Sequence, residues 1–300
     1  MSDPVVIETA DLSKAYDAST EALRGLTLQV PSGSIYGFLG KNGAGKTTTI
    51  KTLLGMVKPT GGIARVFGLD ATNPQASVAI RQRAAFVSED KDLIDSMTVD
   101  EIARFTASFF PTWRADLAQQ YRQTFDLRPA QSVKQLSRGA RTKLALLLAL
   151  CRGAELLILD EPTSGLDPAA AEEVLQVLVR HVATEPLTIF FASHQLSEVD
   201  QIADHVGIID RGRMAVAGAL DDLRAQFRRI QVVFDGAAPT PAFRTAAVKR
   251  VRRDGRVLTI LTSADADAVV AEARALNPVA IDVAPVTLKD IFLESVNAEA

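Results

Sequence analysis

Two short segments of this sequence carry side chains that can do chemistry together. The first, Gly40-Lys41-Asn42-Gly43-Ala44-Gly45-Lys46-Thr47, has glycines, a lysine and a hydroxyl at the spacing of a phosphate-binding loop. The glycines let the backbone fold back so that successive N–H groups point at phosphate oxygens, and the helix that follows presents its positive end to the same anion. Lys46 is placed to neutralise β- and γ-phosphates. Thr47 offers a hydroxyl to the magnesium ion that bridges them. The second segment, Leu156-Leu157-Ile158-Leu159-Asp160-Glu161, is an apolar run ending in two carboxylates. Asp160 suits the metal and Glu161 suits an attacking water. Adjacent acids at a strand end are by themselves only a solvated turn; the lysine loop upstream makes them a candidate site.

Such a loop needs a strand before it and a helix after it. Ser34 to Leu39 reads as that strand and Thr48 to Gly55 as that helix, after which Gly61-Gly62 turns the chain into the strand Ile63 to Phe67. Val5 to Glu8 and Leu26 to Val30 read as further short strands. Leu156 to Leu159 and Thr188 to Ala192, joined by a helix over Ala169 to Val182, are the bounded apolar runs expected of strands covered on both faces of a mainly parallel sheet. Between about Met97 and Cys151 helical periodicity dominates, in Val99 to Phe109, Arg114 to Phe125 and Arg138 to Cys151, which predicts a helical insertion. After Leu223 to Arg229 the pattern changes again. Strands at Ile230 to Phe234, Ala247 to Arg252 and Arg256 to Thr262 precede a helix at Ala264 to Leu276, a strand at Ala280 to Ala284 and a helix at Leu288 to Val296. The expected fold is therefore α/β of the P-loop kind, with a small C-terminal α+β appendage. The expected domains are residues 1–225, with a helical subdomain at about 90–151, and residues 226–300.

Composition narrows the class. The chain has 300 residues, 47% hydrophobic and 23% charged, with a net charge of −3, so no whole-chain attraction to nucleic acid is expected. Cys151 is the single cysteine, which excludes an intrachain disulfide and a cysteine-based zinc site and fits a reducing compartment. The apolar run Leu144 to Leu150 is bounded by Lys143 and Arg152 and is far shorter than the roughly 20 residues of a membrane span. Asp3, Glu8 and Asp11 leave no basic region ahead of an apolar one, so no secretory signal is read and cytoplasmic residence is expected. The basic run Lys249, Arg250, Arg252, Arg253 and Arg256 reads as a solvated strand pair, with anionic lipid as the other option.

Further motifs follow in order. Leu136-Ser137-Arg138-Gly139-Ala140 opens a helix before Asp160, Ser164-Gly165-Leu166-Asp167 follows Glu161, and His194 follows the strand ending at Ala192. With the phosphate loop, this set resembles the ATP-binding cassette (ABC) proteins over roughly residues 5 to 225. The resemblance implies a P-loop NTPase cassette that takes ATP and Mg2+. It implies two cassettes arranged head to tail as a homodimer or heterodimer, each nucleotide lying between one subunit's phosphate loop and the other's signature segment. On that basis Tyr16 stacks on adenine, residues Gly40 to Thr47 and Thr48 contact the nucleotide, and Ser137, Arg138 and Gly139 address the partner's γ-phosphate. Asp167 communicates across the dimer. Glu161, His194, Lys46 and Glu89 form the catalytic set, with Thr47, Asp160 and Glu89 on the metal.

Two positions depart from the family pattern. Glu89 stands where glutamine is usual, still an oxygen donor but adding negative charge near the phosphates. Arg138 and Ala140 replace the second glycine and the glutamine of the signature, and Arg138 either offsets the Glu89 charge or points to solvent. The resemblance implies the nucleotide-binding subunit of a transporter whose membrane-spanning permease is a separate chain, on the inner face of the cell membrane. Phe105, Phe109, Phe110 and Trp113 are candidates for its docking face, or else for a helical core. The ending Val286 to Glu294 resembles extensions of bacterial exporter cassettes. An importer ATPase is the nearer alternative. A soluble or regulatory cassette ATPase is the farther one, without the tandem cassettes or long coiled coils of translation and DNA-repair members.

Overall fold

The computed structural model describes residues 4–17, 19–241 and 243–297; Asp3, used above in reading the N-terminus, lies outside them. The chain forms two compact units, Met1–Ala217 and Gly218–Ala300. Elements along the first are β1 (Val5–Ala15), β2 (Glu21–Pro31), β3 (Ile35–Leu39), α1 (Lys46–Leu53), β4 (Gly61–Val66) and β5 (Leu69–Asp70). There follow α2 (Pro74–Arg83), β6 (Ala84–Val87), α3 (Val99–Ala107), α4 (Ala115–Thr124), α5 (Arg138–Leu150) and β7 (Leu156–Asp160). Then come α6 (Pro168–Thr184), β8 (Thr188–Ser193), α7 (Leu196–Ile202), β9 (His205–Asp210) and β10 (Arg213–Ala219).

Two sheets build this unit: an antiparallel one in the order β2-β1-β4-β5 and a larger one in the order β10-β9-β3-β8-β7-β6, parallel from β9 through β6. Every residue of β3, β7 and β8 is buried, which is why these segments read as unbroken apolar runs and not as alternating ones. Phe38 and Phe190 pack with ring centroids 5.2 Å apart at the centre of this core. β2 alternates instead, burying Leu23, Leu26, Leu28 and Val30 on one face.

Between β6 and β7 the chain is helical. α3 opens with a reciprocal cap, Thr98 Oγ1 accepting from Glu101 N–H while the Glu101 carboxylate accepts from Thr98 N–H. The run Leu144 to Leu150 is buried all round the C-terminal half of α5, and burial pushes the Cys151 thiol at its end up to about 12. No helix among the described residues is long and apolar enough to cross a membrane. In this unit the structure adds β5, α2, α7, β9 and β10 to the elements read from sequence. α2 buries only Ser77 and Ile80, so its apolar periodicity is weak, and it is set by Asn73, whose side chain accepts from Gln75 and Ala76 N–H.

Parallel register positions the site. Leu39 lies opposite Ser193, and Asp160 opposite Ala192, so the residues leaving the C-terminal ends of β3, β7 and β8 (Gly40, Glu161 and His194) emerge side by side.

The second unit contains α8 (Leu220–Ala225), β11 (Arg228–Val233), β12 (Val248–Asp254), β13 (Val257–Thr262), α9 (Ala266–Arg274), β14 (Ala280–Pro285) and α10 (Leu288–Asn297). Its sheet runs β12-β13-β11-β14, antiparallel throughout. Ile230, Val232, Leu258 and Ile260 form an apolar face packed with Val269 and Ala273 of α9. α8, which the sequence reading placed with the first domain, buries Leu220 and Leu223 and packs on α10, so the division falls ahead of it.

Candidate functional site

The phosphate loop leaves β3 at Gly40 and enters α1 at Lys46. Its shape needs glycine. Gly45 has φ of 114°, and a Cβ there would stand 2.7 Å from the Ala22 carbonyl; a Cβ on Gly40 would stand 2.7 Å from that of Ile209. Gly45 is also the N-cap of α1 and supplies no side-chain acceptor, so no capping side chain covers the helix's first N–H groups.

Around this loop the structure gathers buried charge. Lys46 Nζ donates to Gly40 O at 2.8 Å and lies 3.2 Å from Glu161 Oε1, an ion pair whose alignment falls short of a hydrogen bond. Glu161 Oε2 lies 2.8 Å from His194 Nδ1, making a continuous Lys46–Glu161–His194 chain. Glu161 sits in the left-handed region at φ 49°, a conformation that L-residues rarely adopt and that aims its carboxylate between its two partners. Thr47 Oγ1 donates to Asp160 Oδ2 at 2.8 Å.

A cavity of about 370 Å³ opens over Lys46, Thr47, Asp160 and Glu161, and Thr48, Glu89 and Tyr16 also line it, whereas His194 lies behind Glu161 outside the lining. Tyr16 is 54% exposed, its hydroxyl 3.4 Å from Thr48 Oγ1 and its ring 5.1 Å from Lys14 Nζ, so one aromatic face is free to stack at the rim. Lys41, Asn42 and Gly43 complete the mouth, and Ala44 is buried behind it, its N–H donating to Lys41 O.

Asp160 tests whether a divalent cation fits. Burial, above all, raises its carboxyl above the usual range, against the Thr47 hydrogen bond, and its Oδ1 is buried with no hydrogen-bond partner. A cation at Oδ1 and Thr47 Oγ1 would satisfy both. Among the described residues no three His, Cys, Asp or Glu side chains converge as a complete metal site. That suits magnesium, which takes one or two protein oxygens and completes its shell with phosphate and water.

Ser137, Arg138, Gly139 and Asp167 do not line this cavity. Ser137 caps α5, accepting from Ala140 N–H at 3.2 Å, and Asp167 caps α6, accepting from Ala170 N–H at 2.9 Å. The Arg138 guanidinium lies against Ser164 and Gly165, where a Cβ on Gly165 would be 2.2 Å from Arg138 Cζ. Of the aromatic candidates, Phe105 and Phe109 are exposed and meet edge to face at 5.0 Å, whereas Phe110 stacks beneath Arg152. His181 is a packing residue, its Nδ1 2.6 Å from Tyr121 Oη in the interior, and His205 pairs with Asp204.

Two buried groups escaped the sequence reading. Lys91, also at positive φ (48°), is 5% exposed and donates from Nζ to the Glu161 carbonyl at 2.9 Å. Desolvation, above all, holds its pKa down. Glu198 accepts from Thr163 Oγ1 and Ser193 Oγ, and burial raises its carboxyl. No spacing in the sequence points to either.

The fold and this loop-centred cluster define a P-loop nucleoside triphosphatase. A family model described as ABC transporter matches residues 23–164. The chain is 35% identical to the bacitracin transport ATP-binding protein BcrA of Bacillus licheniformis, over 75% of this chain and 73% of that one. It is 36% identical to the daunorubicin/doxorubicin resistance ATP-binding protein DrrA of Streptomyces peucetius, over 73% and 67%. The ABC transporter ATP-binding protein YtrB of Bacillus subtilis is 25% identical over 96% of this chain and 97% of its own. A solved ATP-binding subunit of an ABC transporter superposes with a TM-score of 0.65 at 29% identity, over 74% of this chain and 92% of that one. The chain belongs to the ABC transporter family. It is an ATP-binding and ATP-hydrolysing subunit that powers transport.

Proposed function

We propose that the cavity over Lys46 is the Mg–ATP site and that hydrolysis there drives export of an amphipathic compound through a separate permease at the cytoplasmic face of the membrane. The buried Lys46–Glu161 pair, extended by the exposed His194 and set beside Asp160 and Thr47, carries this reading. Lys46 and the N–H groups of Gly43, Gly45, Lys46 and Thr47 hold the β- and γ-phosphates, and Tyr16 stacks on the base. Asp160 Oδ1 and Thr47 Oγ1 hold the magnesium, with Glu89 at the same mouth as a further oxygen donor. A magnesium ion held by these oxygens would supply positive charge against the phosphates. Glu161 orients a water and takes its proton, and His194 fixes the Glu161 carboxylate while presenting its other ring nitrogen to the γ-phosphate. Ser137 to Gly139 lie off this cavity, which supports their service to the site of a second chain at the α5 N-terminus. The relatives named for bacitracin transport and daunorubicin resistance support amphipathic cargo.

The test is to isolate the tagged chain from its native membrane and measure Mg-dependent ATPase. Copurification of a multi-span protein that stimulates turnover, together with outward movement of cargo in vesicles, is the expected result. Ribosomes or DNA copurifying in its place would overturn it.

A further inference from the structure

The second unit holds a cavity of about 490 Å³, within the range of small-molecule sites. Strand register explains its chemistry. Arg250 and Arg229 lie on either side of Leu261 across three adjacent strands, and Arg252 and Gln231 on either side of Thr259. Because side chains alternate, these rows form the sheet face opposite the apolar one under α9. The basic run read from sequence is thereby divided: Arg250 and Arg252 join this cavity, while Arg253 turns to Ala238 O and Thr240 Oγ1.

The first turn of α10 closes the cavity with Lys289 and Asp290. Four cations, Arg229, Arg250, Arg252 and Lys289, thus face two carboxylates, Asp254 and Asp290. Asp290 is already engaged, its Oδ2 accepting from Thr287 N–H at 2.9 Å and Thr287 Oγ1 at 2.8 Å, so its approach to Arg229 is a loose 3.5 Å. Arg229 Nε is buried with no hydrogen-bond partner, an orphan donor that folding alone leaves unsatisfied. Strands about 4.8 Å apart put the backbones of Arg229 and Arg250 about 10 Å from each other, a separation that two arginine forks bridge around one phosphate. Leu261, Val257 and Leu293 provide apolar wall beside them.

We infer that this cavity is a ligand site for a small amphipathic phosphate monoester, held by Arg229, Arg250 and Arg252, separate from the nucleotide site. The probe is hexyl phosphate, titrated calorimetrically into the full chain saturated with ADP. Saturable binding is expected, weakened about tenfold by Arg250→Gln and further by adding Arg252→Gln, with hexyltrimethylammonium giving no heat. Neither arginine has a hydrogen-bond or ion-pair partner within the described residues, so both variants keep the fold and their basal ATPase. Absence of saturable binding, or equal affinity in the double variant, would overturn the inference. A parallel arm with phosphatidylglycerol and phosphatidylcholine vesicles separates the sources. Arginine-dependent sedimentation with the former alone identifies a lipid headgroup, and hexyl phosphate binding without sedimentation identifies a soluble monoester.

Discussion

Lys91→Met removes a buried ammonium while nearly keeping its volume, and it isolates what the contact to Glu161 contributes. Lys91 Nζ donates at 2.9 Å to the carbonyl of the residue proposed to orient the attacking water, and that residue sits at a strained φ of 49°. The carbonyl also accepts from Ser164 N–H at 3.2 Å, so the substitution removes one of its two donors. A hydrogen bond from a charged donor contributes about 1.5–3 kcal/mol net. If that energy holds Glu161 in its strained conformation, losing it lowers kcat by about 10- to 100-fold. The phosphate loop is untouched, so the KM for ATP stays within about twofold. Steady-state phosphate release, with circular dichroism to confirm folding, reads both quantities. A folded Lys91→Met protein with wild-type kcat would refute the positioning argument, and a rise in KM at constant kcat would move Lys91 to nucleotide binding.

The remaining predictions concern metal, pH and base recognition. Asp160→Asn should abolish Mg-dependent turnover by about 100-fold, yet leave the metal-free chain about 1 kcal/mol more stable in urea, because it removes an unpaired buried charge. The sign follows from the raised Asp160 pKa: the native state holds this proton more tightly than the unfolded chain, so its contribution is full below the ordinary value of 3.8 and is lost as pH rises through the folded pKa. His181 behaves oppositely. Burial lowers its pKa from 6.5, so its contribution is full above that pH and is lost as pH falls through the folded value; His181→Gln should flatten the acid limb of a urea-midpoint profile. Tyr16→Ala should raise the KM for ATP about tenfold with little change in kcat, read by steady-state kinetics.

The buried strands and the loop between β3 and α1 were legible because parallel strands covered on both faces leave unbroken apolar runs, and because few residue types permit that backbone path. Lys91 was not, for an opposite reason. Flanked by Asp90 and Asp92 it has the composition of a solvated loop, and only its left-handed backbone turns the side chain inward. Glu198 lies on the short helix α7, where an acid ordinarily faces water, and two hydroxyls from separate segments hold it inside. Arg138 illustrates a third limit. Its charge suggested either a phosphate neighbour or solvent, and its lodging within the chain against Gly165 depends on a glycine at φ 72° that sequence position alone does not bring near. The C-terminal cationic face was hidden by alternation, since one basic run serves both sides of a sheet.

The central claim is that Glu161 acts on water at a nucleotide held by Lys46. Single-turnover phosphate release from pre-bound Mg–ATP, compared between wild type and Glu161→Gln, tests it most directly. ATP retained by the variant with release slowed by at least about 100-fold is the predicted result. Release at the wild-type rate from a folded, ATP-loaded Glu161→Gln protein would contradict it.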